Sequence, residues 1–453
     1  MYERLKGFRD FYPGEMRARR EVVDAMEDVA RGYGFREVGT PALERTRMYV
    51  DKSGEEIVEE LYAFEDRGGR EVAMTPELTP TVARMVVDRG QELSKPIKWF
   101  STRPFWRYEQ VQQGRFREFY QTNVDVFGSS APEADAEVLA FAADAMAALG
   151  LTGDDFEFRV SHRDILGGLL ASFDEQATGD AAGSGSGAGA GGGSAGGVDT
   201  GAAIRAVDKR AKVDRADYLD LLYDAGLSLD DAETFDDLLA TGDLDELIAF
   251  AGTERVADAV ANLRAVLEAA DDFGAGDVCE VSLETARGLD YYTGVVFECF
   301  DSTGEVSRSV FGGGRYDDLI ESFGGQPTPA VGVAPGHATL SLLCQRAGVW
   351  PEETLRTDYY VLQVGDTRDV AARIARDLRE RGHVVETDVA DRGFGSQLSY
   401  ADSINAGTTV IVGEQDLADG NVTVKEMASG DQTTAPADEF PGAHEAPTYE
   451  DFA

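Results

Sequence analysis

Residues 179–197 of the 453-residue chain are almost nothing but Gly, Ala and Ser. Such a stretch has no large apolar side chain to bury and loses much backbone freedom on ordering, so no core can run through it. The chain must therefore pack on either side of a flexible linker, and at roughly 100–200 residues per domain it should hold two to four domains. A GxGxxG match at Gly187, Gly189 and Gly192 lies inside the tract with no strand before it, which marks it as a chance match rather than a dinucleotide loop.

Charge is the second constraint. Asp plus Glu number 84 against 42 for Lys plus Arg, of which only 7 are Lys, and the formal net charge is −42. Self-repulsion of that size opposes compaction unless salt screens it, and at about 1 M the Debye length is only ~3 Å. The composition is that of a halophilic protein in a salt-rich cytosol. Acidity therefore serves solubility and does not exclude a nucleic-acid partner, so local charge has to be inspected instead. Cys279, Cys299 and Cys344 show no CxxC spacing, which supports neither a disulfide framework nor a zinc knuckle. The first residues, Met1 to Lys6, lack an apolar signal-like run, and no stretch of about 18 apolar residues occurs. The expectation is a cytoplasmic protein with no membrane partner.

Periodicity predicts a helix over 14–33 from Val22, Val23, Met26, Val29, Ala30 and Tyr33, a strand at 35–39 and a stop at Pro41. Strand, polar loop and strand follow over 97–127, then a helix over 132–150. Residues 198–272 read as a solvated helical insertion, and the window 198–278 carries 20 acidic and 7 basic residues. Strands return at 279–283 and 295–299, a glycine turn is expected at 312–317, and a strand and helix lie between 329 and 344. From Asp358 the alternation of strand and helix predicts a small parallel α/β domain, and the acidic stretch after Gly430 a loosely ordered tail. The expected segmentation is a core over 1–164, an insertion over 165–275, a second core portion over 276–350, an α/β domain over 356–430 and a tail over 431–453.

The chain has no GxxxxGK[ST], HExxH or GxSxG, which removes sequence support for P-loop, zinc-protease and serine-hydrolase chemistry. Its histidines, His162, His337, His383 and His444, are not paired at ligand spacing and read as surface or core filler. Between Lys95 and Gln121 stand six basic residues, Lys95, Lys98, Arg103, Arg107, Arg115 and Arg117, against Glu109 and Glu118. Local basicity in so acidic a chain points to an anionic ligand. On the following strand Gln121, Asn123 and Asp125 share one face, a set suited to a small polar cation. In Arg287-Gly288-Leu289-Asp290-Tyr291-Tyr292, glycine beside arginine lets backbone approach a ligand.

These residues carry a resemblance. Phe105-Trp106-Arg107-Tyr108-Glu109 with its loop and Phe119-Tyr120-Gln121 resembles motif 2 of the class II aminoacyl-tRNA synthetases, and the helix–strand–Pro41 unit resembles motif 1. Arg287 to Gly294 with Gly313-Gly314-Arg315-Tyr316-Asp317 resembles the signature peptides of the histidyl-tRNA synthetase family. Asp391 to Gly395 with Tyr400-Ala401-Asp402 resembles that family's anticodon-binding domain. The resemblance implies an α+β fold: a six-stranded antiparallel class II sheet with flanking helices, a helical insertion and a C-terminal α/β anticodon-binding domain, dimerised through motif 1. It implies ATP-dependent ligation of L-histidine to tRNA(His) through a histidyl-adenylate, with Mg²⁺ assisting. Arg107 and Arg287 would stabilise the α-phosphate from opposite sides and Glu109 hold the adenine end. Glu77 and Thr79 would take the substrate ammonium. Gln121, Asp125 and Tyr292 would line the histidine site, with Arg287, Tyr291 and Tyr316 beside it.

Two features depart from the family pattern. The glycine tract has no counterpart in it and reads as a linker. Motif 3 should supply an arginine for the γ-phosphate near Gly336, where this chain reads Gly336-His337-Ala338-Thr339-Leu340. Thr339 cannot neutralise a phosphate, which leaves Mg²⁺ or Arg115 of the motif 2 loop. The alternative is a non-catalytic, histidine-binding regulatory paralogue, and a third reading is a ligase for proline, threonine or glycine.

Overall fold

The computed structural model describes residues 2–50, 59–183, 197–210, 213–285, 291–438 and 440, with backbone alone at 175–183. The chain divides into two compact units, residues 1–10 with 19–351 and residues 11–18 with 352–453. Among the described residues the first unit contains β1 (Arg36–Glu37), β2 (Leu43–Arg45), β3 (Ala63–Glu65), β4 (Glu71–Met74), β5 (Ile97–Trp106) and β6 (Glu118–Phe127). It continues with β7 (Phe156–His162), β8 (Cys279–Val281), β9 (Val295–Asp301), β10 (Phe311–Arg315) and β11 (Ala330–Val333). The second unit contains β12 (Thr357–Val364), β13 (Val385–Thr387), β14 (Ala406–Gly413), β15 (Asn421–Glu426) and β16 (Gln432–Pro436).

The large sheet of the first unit has the order β1-β5-β6-β11-β10-β9-β7-β8. Its six inner strands are antiparallel, as the resemblance implied, and one short parallel strand extends each edge, β1 on β5 and β8 on β7. The hairpin β5–β6 is its longest ladder, in register from Ile97 opposite Phe127 to Trp106 opposite Glu118. Strands β2, β4 and β3 form a separate small antiparallel sheet.

The glycine segment 312–314 is a strand and not the turn that its composition suggests. All of β10 is buried. A Cβ on Gly313 would come 2.3 Å from the Gly332 carbonyl oxygen and 2.7 Å from the Phe297 ring. Glycine is required there by close strand and side-chain approach.

The insertion is likewise more than a solvated appendage. Its helices, Thr200–Lys209, Arg215–Asp224, Leu229–Thr241, Leu244–Ala251 and Glu254–Asp272, bury Ile204, Leu222, Phe235, Leu239, Leu247 and Leu263 in the same core as the sheet. Part of its acidity is structural. Asp199, Asp214, Ser228, Asp243 and Thr253 each accept a backbone N–H of the first turn, and Gly242 and Gly252 close two C-termini in the left-handed conformation.

The second unit is a five-stranded sheet, β13-β12-β14-β15-β16. Its first three strands are parallel, while β15 and β16 are antiparallel to their neighbours, so the domain is mixed where the sequence suggested parallel. Alternate residues of β12 face opposite layers. Tyr359 and Val361 pack with Ile374 and Leu378 of helix Arg368–Glu380, and Tyr360 and Leu362 with Ala401 of helix Phe394–Ser403. Residues 432–436, read from sequence as part of a loose tail, pair with β15, and Phe440 is buried in the core.

Candidate active site

Arg107 follows the last residue of β5, and Glu109 lies two residues beyond it in the loop that leads to β6. The Arg107 amide donates to the Arg117 carbonyl, which closes the base of the loop. Its side chain donates through Nε to the Pro76 carbonyl at 3.0 Å and lies over the Phe119 ring, 5.6 Å from the centroid. Glu109 is buried. Its carboxylate meets Arg115 Nε at 2.7 Å and Arg107 Nη1 at 3.8 Å, and its carbonyl accepts from Arg117 Nε. Gly114, with φ of 73°, lets the loop come down on the helix His337–Ala347, where a Cβ would stand 3.1 Å from Thr339 Cγ2.

These residues line one cleft of about 1270 Å³, with Gln121 of β6 and Thr339 among its walls. The Thr339 hydroxyl donates to the carbonyls of Val310 and Gly336, so it is turned into the protein. Of the six basic residues counted between 95 and 121, only Arg107 and Arg115 line the cleft. Lys95 donates to Thr328, Lys98 pairs with Glu137, Arg103 caps the Thr40 and Pro41 carbonyls, and Arg117 stacks on Tyr108. These four do structural work, which a charge count cannot distinguish from ligand binding.

Next to the cleft lies a buried group of carboxylates and phenols. Asp125 faces Gly332 of the neighbouring strand β11, where a Cβ would come 2.3 Å from its Oδ1. The Tyr316 hydroxyl donates to that same oxygen. Burial pushes the Asp125 carboxyl up to about 7, with the Tyr316 bond pulling the other way. Burial also holds Tyr316 far above the ordinary phenol value, and the Asp125 charge adds to it. Tyr291 donates to Glu77 at 3.1 Å, and its ring lies 5.0 Å from Tyr292 and 5.9 Å from Tyr316. Thr79 opens the helix Thr79–Arg89, with Pro80 beside it in the first turn. Because Pro76 accepts from Arg107, the Glu77 loop is tied directly to the cleft.

The structure thus brings Arg107, Glu109, Arg115, Gln121 and Thr339 to one cleft, and links Asp125 to Tyr316 and Glu77 to Tyr291. Arg287 lies outside the described residues. His337 is buried beneath β6, 3.0 Å from the Thr122 hydroxyl, and burial, with Arg19 and Arg9 nearby, lowers it to about 3. It is a neutral core histidine. Sequence reasoning missed other residues that line the cleft, notably Glu298 on β9 and Arg308 in the β9–β10 connection. No motif flagged either one; the strand assignment could have put Glu298 on an inward face, and nothing local signals Arg308.

Residues 7–182 and 202–340 match the histidyl-tRNA synthetase family, and 358–445 match the anticodon binding domain family. A histidine–tRNA ligase of Natronomonas pharaonis is 72% identical over 100% of both chains, and one of Halorubrum lacusprofundi is 73% identical over 100% of both. A crystal structure of histidyl-tRNA synthetase from Nostoc sp. PCC 7120 superposes with a TM-score of 0.78 at 24% identity, covering 97% of each chain, which shows the shared fold.

Proposed function

The chain belongs to the histidyl-tRNA synthetase family, and on that premise we propose that it joins L-histidine to tRNA(His) at the expense of ATP. The observation that carries the reading is the tie between Arg107 and Pro76, which sets a basic cleft fit for a nucleotide against a buried carboxylate–phenol group fit for a small polar amino acid.

In the first step a histidine carboxylate oxygen bonds to the α-phosphorus of ATP, and the bond from that phosphorus to the bridging oxygen breaks, releasing pyrophosphate. In the second, a hydroxyl of the terminal adenosine of tRNA attacks the activated carbonyl and AMP leaves. Negative charge grows on the α-phosphate oxygens in the first step. Arg107 is held in place by Pro76 and Phe119, so its guanidinium can meet that charge with little reorganisation. Arg287 takes the opposite side in this reading. Glu109 receives the adenine end, Glu77 and Thr79 the ammonium group, and Gln121, Asp125, Tyr291, Tyr292 and Tyr316 surround the imidazole. A neutral imidazole has one donor and one acceptor, which a carboxylate and a phenol complement.

Among the described residues no group of three or more His, Cys, Asp or Glu could hold a metal by itself. Single carboxylates such as Glu298 line the cleft, a donor set that fits Mg²⁺ shared with nucleotide phosphates. Bound there, Mg²⁺ would neutralise phosphate charge. Among the described residues no helix is long and apolar enough to cross a membrane, and we place the protein in the cytoplasm. The motif 1 region, the helix and strand that end at Pro41, would form the seam of a homodimer, and exposed Leu43 just beyond Pro41 supports this.

Histidine-dependent exchange of pyrophosphate into ATP in molar KCl tests the reading. Exchange with histidine alone among the amino acids is expected. Histidine binding without exchange at any Mg²⁺ concentration would favour the regulatory paralogue, and exchange with proline, threonine or glycine another ligase.

A further inference from the structure

Arg308 lies in the connection between β9 and β10 and lines the same cleft as Arg107, Glu109, Arg115 and Thr339. It is half-buried. Several arginines of the first unit are matched to carboxylates, as with Arg115 on Glu109, Arg315 on Asp135 and Arg346 on Asp155, and others, such as Arg103, are spent on backbone carbonyls. Arg308 has no such partner among the described residues, in a chain whose acidic residues outnumber its basic ones 84 to 42. A guanidinium cannot shed its charge. One left unmatched beside a second cation implies an anion that the protein itself does not supply.

We infer that Arg308 binds the pyrophosphate end of ATP, as the cation that the Thr339 position does not provide. This rests on the reading of the cleft as an ATP site.

Three observations converge on it. The Thr339 hydroxyl is turned onto the Val310 carbonyl, two residues from Arg308, so it is unavailable to phosphate and fixes the stem of the segment that carries Arg308. Arg107 is anchored to Pro76 and suited to the α-phosphate, and Arg115 is held by Glu109. Among the arginines that line the cleft, that leaves Arg308 as the one whose donors are uncommitted among the described residues. Burial lowers its affinity for a proton, Arg115 pushes the same way, and Glu109 opposes them. Arg308 and Arg115 thus stand as two guanidinium groups about the single Glu109 carboxylate in a cleft of a strongly acidic protein.

Titration calorimetry with ATP and with AMP, without histidine and in molar KCl, tests the assignment on the full chain. In Arg308→Ala, ATP affinity should fall about 10- to 100-fold, the scale of one lost charge-assisted contact, while AMP affinity stays within about two-fold. Arg308→Lys, which keeps the charge but not the planar fork, should fall between Arg308→Ala and wild type for ATP. Equal weakening of ATP and AMP would mean a structural role and overturn the inference, as would no change for ATP. If Arg308→Ala unfolds, the same comparison in Arg308→Lys decides. Wild-type protein that exchanges no pyrophosphate would sink the ligase reading, and the ATP-to-AMP ratio would still judge Arg308.

Discussion

Replacing Asp125 with asparagine should make the unliganded protein more stable above pH 7 and impair its use of histidine. Burial lifts the Asp125 carboxyl from 3.8 to about 7 in the folded protein. Between those values the native state holds a proton that the unfolded chain has released. The carboxyl therefore costs no stability below about pH 4, costs progressively more as pH rises, and imposes its full penalty above about 7. At about 1.4 kcal/mol for each pH unit, the interval sets a ceiling near 4 kcal/mol. Asparagine has the same shape, can still accept the Tyr316 hydroxyl and never ionises. In molar KCl, urea unfolding followed by tryptophan fluorescence should show wild type and Asp125→Asn within about 1 kcal/mol of each other at pH 4. By pH 8 the variant should lead by roughly 2–4 kcal/mol. Its kcat/KM for histidine should fall ~10²-fold, because an amide cannot supply the charge-assisted acceptor. The other titrating groups cancel in the comparison. A stability difference that is the same at pH 4 and pH 8 would refute the reasoning, because the carboxyl would then not be titrating across that window.

Three further expectations follow from the same site. Arg287→Ala should leave histidine and ATP binding within a few fold and slow adenylate formation by ~10²–10³, read in a single turnover; an unchanged rate removes Arg287 from the chemistry. Stability and aminoacylation should rise together as KCl goes from ~0.1 M toward molar, with the Debye length falling from about 10 to 3 Å, whereas loss of neither in low salt contradicts screening as the need. Thr339→Arg should lower the ATP KM by no more than a few fold, since the new side chain must pass the loop that rests on Thr339 at Gly114; a fall of tenfold or more would show that the loop yields freely.

The hairpin 97–127 was legible because its aromatics and its polar loop give strand and turn signals within thirty or so residues. The helix at 132–148 was legible for the same local reason. Gly312 to Gly314 misled because glycine signals a turn unless one knows that Phe297 and the Gly332 carbonyl press on the strand. Gln432 to Pro436 misled because an edge strand with polar residues has no apolar alternation, and only its partner β15 defines it. At the site, the motif 2 resemblance picked out Arg107 and Glu109, and strand alternation picked out Gln121. The charge count that accompanied it could not separate Arg115 from Lys98 and Arg103, whose roles depend on partners distant in sequence, Glu137 and Pro41. Arg308 was invisible because its significance lies in which residues it does not pair with.

The pairing of β6 with β11 has a consequence for how this protein is made. Strand β6 finds β5 at once, but its other edge waits for Ala330 to Val333 to emerge, after the whole insertion has been synthesised. Until then a ten-residue strand bearing Val124, Val126 and Phe127 offers unpaired backbone to any passing chain. Asp125 stands in the middle of that edge. In a solvent where it is still exposed it is ionised, and a charge on an open strand discourages sheet-to-sheet joining. The carboxylate that burdens the finished core would thus guard the nascent one, so Asp125→Asn should gain stability at equilibrium while losing yield of soluble protein during synthesis.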